Sequence, residues 1–93
     1  MLLLTKQTYV DQILSGRKTF EIRCGRRYRN IRAGDTLSLN GRLRLTVTSV
    51  DNISIEAARL IDGFSTCYGN CSAGEPIFVF HFESPAKSTS QAN

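Results

Sequence analysis

This sequence lacks the features that mark several special classes of protein. Its 93 residues include no tryptophan, two prolines and seven glycines, which excludes collagen-like and proline-rich chains. The opening apolar run, Leu2 to Leu4, is far shorter than the roughly 18–20 residues of a transmembrane helix, and it does not have the pattern of a signal peptide. We therefore expect one soluble, cytoplasmic, monomeric domain that does not associate with membranes.

Cysteine is also scarce. The chain has three cysteines, whereas small secreted scaffolds usually carry an even number joined in disulfides. With no export signal, free thiols in a reducing compartment are expected. A Cys3His zinc site built from Cys24, Cys67, Cys71 and His81 is the alternative, but the cysteine spacing is wrong for a tight zinc knuckle. We expect no cofactor and no structural metal.

Acidic residues are few in the middle of the chain. Between Gly16 and Val50 lie nine of the 12 basic residues but only two of the eight acidic ones. Most of the basic residues are arginine, whose planar guanidinium suits bidentate contacts with phosphate. This asymmetry suggests a polyanionic partner, with a solvated basic face as the alternative.

Hydrophobic periodicity predicts the order β-α-β-β-β-α-β. Asn40-Gly41 is a strong hairpin signal between two of the strands. The predicted helices are Lys6–Leu14 and Ser54–Ile61, and the predicted strands are Leu2–Leu4, Thr19–Arg23, Thr36–Leu39, Arg42–Val50 and Ile77–Glu83.

Short sheets avoid open edges by curling. The expected fold is therefore α+β, a small and mainly antiparallel barrel of about five strands with two flanking helices. Residues 1–83 form the domain, and residues 84–93 are expected to be a disordered tail. Residues 64–74 are interpreted as a loop, and its segment 69–74 as a flexible flap over the barrel mouth.

The densest group of reactive side chains follows Gly16. Thr19, Glu21 and Arg23 share one strand face at about 6–7 Å spacing, and Lys18 lies at the mouth of that strand. The two cations would keep Glu21 ionised and hold a phosphate or carbonyl, and a lysine beside another cation can also serve as a base. An exposed salt-bridge cluster is the alternative.

A second group combines arginines with an aromatic ring. Cations that follow phosphates and a ring that stacks on a base are typical of single-stranded nucleic-acid binding. The alternative is that Tyr28 packs on the sheet while the arginines remain solvated. The candidate ligand-binding residues are Arg17, Arg23, Arg26, Arg27, Tyr28, Arg29 and Arg32.

A helix, the motif G-x-K-x-x-E-x-R, a loop and an Ala-Gly-Asp turn follow one another here. This succession resembles the ASCH domain of the PUA-like superfamily over roughly Leu2 to Glu83. The matching elements are the helix Tyr9–Leu14, Gly16, Lys18, Glu21, Arg23, Gly34-Asp35 and the closing strand IFVFHFE.

The resemblance implies a PUA-like barrel with a cleft beside the motif that binds RNA or a modified nucleoside. Some small ASCH proteins are amidohydrolases that deacetylate N4-acetylcytidine, and another is a metal-assisted ribonuclease. In the amidohydrolases the lysine matching Lys18 is catalytic, with a threonine at the position of Glu21 and a later glutamate. Here Thr19 offers a nearby hydroxyl and Glu56 is the nearest later glutamate. A protein-interaction module that uses the basic face is the third possibility.

Overall fold

The computed structural model describes residues 1–61 and 74–83. Most of the predicted flap and all of the predicted tail lie outside these residues. The helices are α1 (Gln7–Leu14) and α2 (Ile55–Arg59). The strands are β1 (Leu2–Leu3), β2 (Phe20–Cys24), β3 (Thr36–Leu39), β4 (Leu43–Ile53) and β5 (Ile77–Phe82).

The predicted α+β class and the order of the elements are confirmed. The five strands form one sheet in the order β1-β3-β4-β5-β2. β1 pairs with β3 in parallel, and every other neighbouring pair is antiparallel. Neither helix in the described ranges is long and apolar enough to cross a bilayer.

The prediction of a closed barrel is wrong for the described part of the chain. The outer strands β1 and β2 do not pair there, so the sheet stays open between them. β1 has only two residues, which gives it little backbone with which to close a seam. Side chains of β2 and of the following 3₁₀ turn (Arg26–Tyr28) face β1 across this gap instead.

The hairpin between β3 and β4 also holds the N-terminal segment in place. Asn40 and Gly41 have φ angles of 55° and 72°, the left-handed region that a tight hairpin requires. The Asn40 side chain accepts a hydrogen bond from the Thr5 N–H at 2.9 Å and donates one to the Thr5 carbonyl at 3.0 Å. Thr5 is therefore tied to the hairpin, and Lys6 takes the N-cap position of α1 without a side-chain hydrogen bond.

The sheet is covered on both faces around β2 and β5. On one face, Phe78, Phe80 and Phe82 join the larger core with Ile13 of α1. On the other face, Ile77 and Val79 pack with Ile22 of β2 and Ala58 of α2 in a smaller cluster. The strand Ile77–Glu83 was predicted from the sequence, but its burial on both faces was not. Burial on both sides explains why β5 is apolar along most of its length.

Candidate functional site

The end of α1 positions Lys18. Gly16 adopts a φ of 84°, which reverses the chain after the helix. The N–H groups of Arg17 and Lys18 both donate to the Gln12 carbonyl, at 2.9 and 3.1 Å. Lys18 is thereby tied to the last turn of α1, immediately before β2 begins.

The Lys18 side chain is enclosed by aromatic rings. Its Nζ lies 4.4 Å from the ring centroid of Tyr9 and 4.6 Å from that of Phe20, within the range of cation–π attraction. The side chain is only 11% exposed. A lysine held in this way has lost most of its rotamer freedom, so its ammonium group has a defined position.

Glu21 is the buried centre of the site. It is fully buried and lies opposite Phe80 in the β2–β5 register. Its Oε1 lies 3.7 Å from Lys18 Nζ, and its Oε2 accepts a hydrogen bond from Arg23 at 3.0 Å. We call Lys18, Glu21 and Arg23 the ion network. Burial of a charge is costly unless it is paired, and here two cations flank one carboxylate.

One oxygen of this carboxylate is incompletely satisfied. Within the described residues, Glu21 Oε1 has no hydrogen-bond partner, since Lys18 Nζ is too far away for a good hydrogen bond. Leaving a buried acceptor unpaired costs roughly 1–3 kcal/mol. Such costs persist where a site holds side chains in place for a purpose other than stability.

A cleft opens where the sheet fails to close. Its volume is about 440 Å³, and it is lined by Met1, Leu2, Leu3, Leu4, Arg23, Arg27 and Tyr28. We call it the edge cleft. Among the residues that the structure describes, the lining includes two arginines and no carboxylate. Arg23 belongs to both the ion network and the edge cleft, so it connects the buried carboxylate with a surface that a ligand can reach.

Tyr28 is placed differently from the expectation that its ring would stack on a base. The residue is 4% exposed, and its ring packs edge-on against Phe80 with centroids 6.4 Å apart. The Arg27 guanidinium carbon lies 4.8 Å from the ring centroid, and Arg27 donates a hydrogen bond to the Tyr28 hydroxyl. The ring therefore belongs to the core, and Tyr28 contributes to the edge cleft chiefly by orienting Arg27.

The other predicted residues lie outside this arrangement. Thr19 is exposed, and within the described chain its hydroxyl contacts neither Lys18 nor Glu21; its carbonyl accepts from the Phe82 N–H. The remaining predicted arginines are exposed and surround the site rather than line the edge cleft. They are Arg17, whose Nε donates to Ser15 Oγ, and Arg26, Arg29 and Arg32.

The expectation of a free thiol at position 24 is wrong, because Cys24 is disulfide-bonded. Cys67 and Cys71 lie outside the described residues. His81 shares a hydrogen bond with Asp51 on neighbouring strands, with 2.8 Å between Nε2 and Oδ2. Across residues 1–61 and 74–83, no group of three or more His, Cys, Asp or Glu side chains could hold a metal ion.

Sequence reasoning missed two parts of the site. Tyr9 and Phe20 were not among the candidate site residues, yet their rings enclose the Lys18 ammonium. Leu2 and Leu4 were assigned only to a strand and not to the site, yet they are 60% and 74% exposed and line the edge cleft. The one available signal was the three consecutive leucines, since adjacent residues of a strand cannot all face the same core.

Comparison with known proteins gives a family match. The model of the ASCH domain matches residues 3–86, which covers almost the whole chain, including the ion network and most of the edge cleft. No curated protein matches, and no solved structure does.

Proposed function

Because the chain belongs to the ASCH domain family, we propose that it binds RNA or a modified nucleoside at the edge cleft. The observation that carries this proposal is the pair of arginines in the lining. Arg23 and Arg27 face the cleft without a carboxylate among the lining residues. A cleft with this charge attracts a polyanion and disfavours cationic ligands.

The exposed arginines extend the basic surface beyond the cleft. Arg26 and Arg29 belong to or adjoin the 3₁₀ turn that carries Arg27, and Arg32 follows closely in the chain. In this proposal they contact phosphates of an RNA strand that passes the cleft, which supplies affinity without sequence preference. The cleft itself supplies the selectivity.

Within the same proposal, Glu21 acts through Arg23. It is too buried to meet a ligand directly, but its hydrogen bond holds the Arg23 guanidinium in one orientation. Lys18 balances the other oxygen of the carboxylate. Glu21 is therefore a positioning residue, and its loss should weaken ligand binding through Arg23.

Hydrolysis of an acylated cytidine is the second candidate. The fixed position of the Lys18 ammonium favours it, because the family's amidohydrolases use a lysine at this place in the motif. The buried Glu21 stands where their nucleophilic threonine would be, and Thr19 is exposed. Turnover of N4-acetylcytidine that is abolished by Lys18→Ala would support this candidate over simple binding.

The proposal is tested by NMR titration of the protein with short single-stranded RNAs and a panel of nucleosides. Amide shifts are expected to cluster in residues 1–4 and 21–29. Arg27→Gln should weaken binding at least tenfold, whereas Arg44→Gln, an exposed arginine on β4, should change it little. If no RNA and no nucleoside shifts these amides, the proposal is wrong, and an acidic protein partner becomes the better explanation of the basic face.

A further inference from the structure

The edge cleft has the size of a small-molecule site. Its volume of about 440 Å³ lies in the range of roughly 300–1,000 Å³ that is usual for ligand pockets. A base-paired helix is too wide for such a space, whereas a single nucleotide fits it. The two walls of the cleft differ in chemistry, and this difference indicates how such a nucleotide would lie.

One wall presents guanidinium groups that are already oriented. Glu21 holds Arg23 through a hydrogen bond of 3.0 Å, and Tyr28 holds Arg27 through its hydroxyl and its ring. Oriented guanidiniums lose little entropy on binding and match the oxygens of a phosphate in bidentate fashion. Two of them beside one small cleft favour a group with more negative charge than a single backbone phosphodiester.

The opposite wall is apolar and carries exposed backbone groups. Leu2 and Leu4 are 60% and 74% exposed, which provides a surface for the flat face of a base. The carbonyls of Met1 and Leu3 accept hydrogen bonds from the N–H groups of Ser38 in β3 and of Asn40 in the hairpin turn, at 2.9 Å each. Because alternate residues of a strand point their backbone groups to opposite sides, those of Leu2 point away from β3, toward the cleft. They can pair with the edge of a base.

From these two walls we infer that the edge cleft is a single-nucleotide site that selects a terminal phosphate monoester. The inference rests on the proposed function and deepens it. The phosphate lies on Arg23 and Arg27, and the base packs on Leu2 and Leu4. A nucleoside without phosphate fills only the apolar wall and makes no phosphate contact with the two guanidiniums. A terminal phosphate can come from a free mononucleotide or from a phosphorylated strand end.

The test compares matched ligands by isothermal titration calorimetry. The probes are the four ribonucleoside 5′-monophosphates, the corresponding nucleosides, inorganic phosphate, and a four-nucleotide RNA with a 5′-phosphate or a 5′-hydroxyl. At least one monophosphate is expected to bind tenfold or more tightly than its nucleoside and than inorganic phosphate. Tighter binding of the phosphorylated RNA than of the monophosphates identifies a strand end as the source.

Three exposed positions provide variants that keep the fold. Arg27→Gln should remove the preference for the monophosphate, and Arg44→Gln should keep it. Leu4→Ser should weaken binding of the monophosphate at least threefold and leave binding of inorganic phosphate unchanged, because only the base contacts Leu2 and Leu4.

Three results would overturn the inference. If RNA binds without any preference for a terminal phosphate, the inference is wrong and the proposed function still stands. A preference that survives in Arg27→Gln places the phosphate elsewhere and removes it as well. Failure of every RNA, nucleotide and nucleoside to bind removes both the inference and the proposed function.

Discussion

Glu21→Ala is the most direct test of the ion network, because this fully buried carboxylate lies between two cations. The substitution leaves Lys18 and Arg23 without their shared counter-charge. Removing one partner of a buried ion pair costs about 3–5 kcal/mol of unfolding free energy. Both cations keep 11% of their side-chain surface exposed, and the unpaired Oε1 already costs roughly 1 kcal/mol or more. We therefore expect a loss of about 2–3 kcal/mol.

This loss is measurable by thermal unfolding followed by circular dichroism. In a domain of this size, each 1 kcal/mol lowers Tm by about 4–8 °C. Glu21→Ala is therefore expected to lower Tm by roughly 8–24 °C. Glu75→Ala is the matched control, since Glu75 is exposed and its removal should cost no more than about 0.5 kcal/mol.

A second variant separates charge from shape. Glu21→Gln keeps an oxygen that can accept from Arg23 but removes the negative charge, so its loss of stability should fall between those of Glu21→Ala and Glu75→Ala. If Glu21→Ala melts at the same temperature as Glu75→Ala, the carboxylate is not desolvated between two cations, and the role given to the ion network is wrong.

Three further predictions concern binding and the chain end. Lys18→Met keeps the alkyl packing between the two rings and should weaken ligand binding at least tenfold, about 1.4 kcal/mol. Lys6→Met, at an exposed position, is the control and should leave the affinity unchanged. Equal affinities of the two variants for the ligand would contradict this prediction. A second prediction concerns the arginines of the 3₁₀ turn and its C-cap, which are Arg26, Arg27 and Arg29. Neutralising all three should flatten the log–log salt dependence of RNA binding by up to about 2, since each single-strand phosphate contributes about 0.7; an unchanged slope would place the phosphate contacts elsewhere. Deleting residues 84–93, which carry one charge and no large apolar side chain, should change the unfolding free energy by less than about 1 kcal/mol in urea denaturation; a larger loss would mean that the tail belongs to the domain.

The spacing of charges on β2 was readable from the sequence, because a strand places alternate residues on one face. Glu21 and Arg23 were expected together on this face, and Lys18 was expected to join them; the structure brings the three together. Which face would be buried was not readable. That depends on the neighbouring strand β5 being covered on both sides, and the half-polar sequence of β2 gives no sign of this covering.

The surroundings of the arginine loop show a second limit. Tyr28 enters the core because Gly25, at a φ of 132°, lets the chain turn into a 3₁₀ segment directly after β2. A single glycine in a basic loop does not reveal this turn. The opening between β1 and β2 could not be predicted either, since strand patterns predict pairing partners but not whether two outer strands lie close enough to close a barrel.

The Asn40 side chain, which holds both backbone groups of Thr5, has a kinetic consequence. β1 reaches the sheet across a separation of about 35 residues, whereas the β3–β4 hairpin closes over only three residues, 40–42, so the hairpin should form first and β1 should dock onto it later. A two-residue strand at the edge of the sheet, held by few backbone hydrogen bonds, should also open locally more often than the rest of the sheet. Amide hydrogen exchange at Leu3 should therefore be fast in the free protein and should slow when a ligand occupies the cleft, so that one backbone proton reports on occupancy without any label on the ligand.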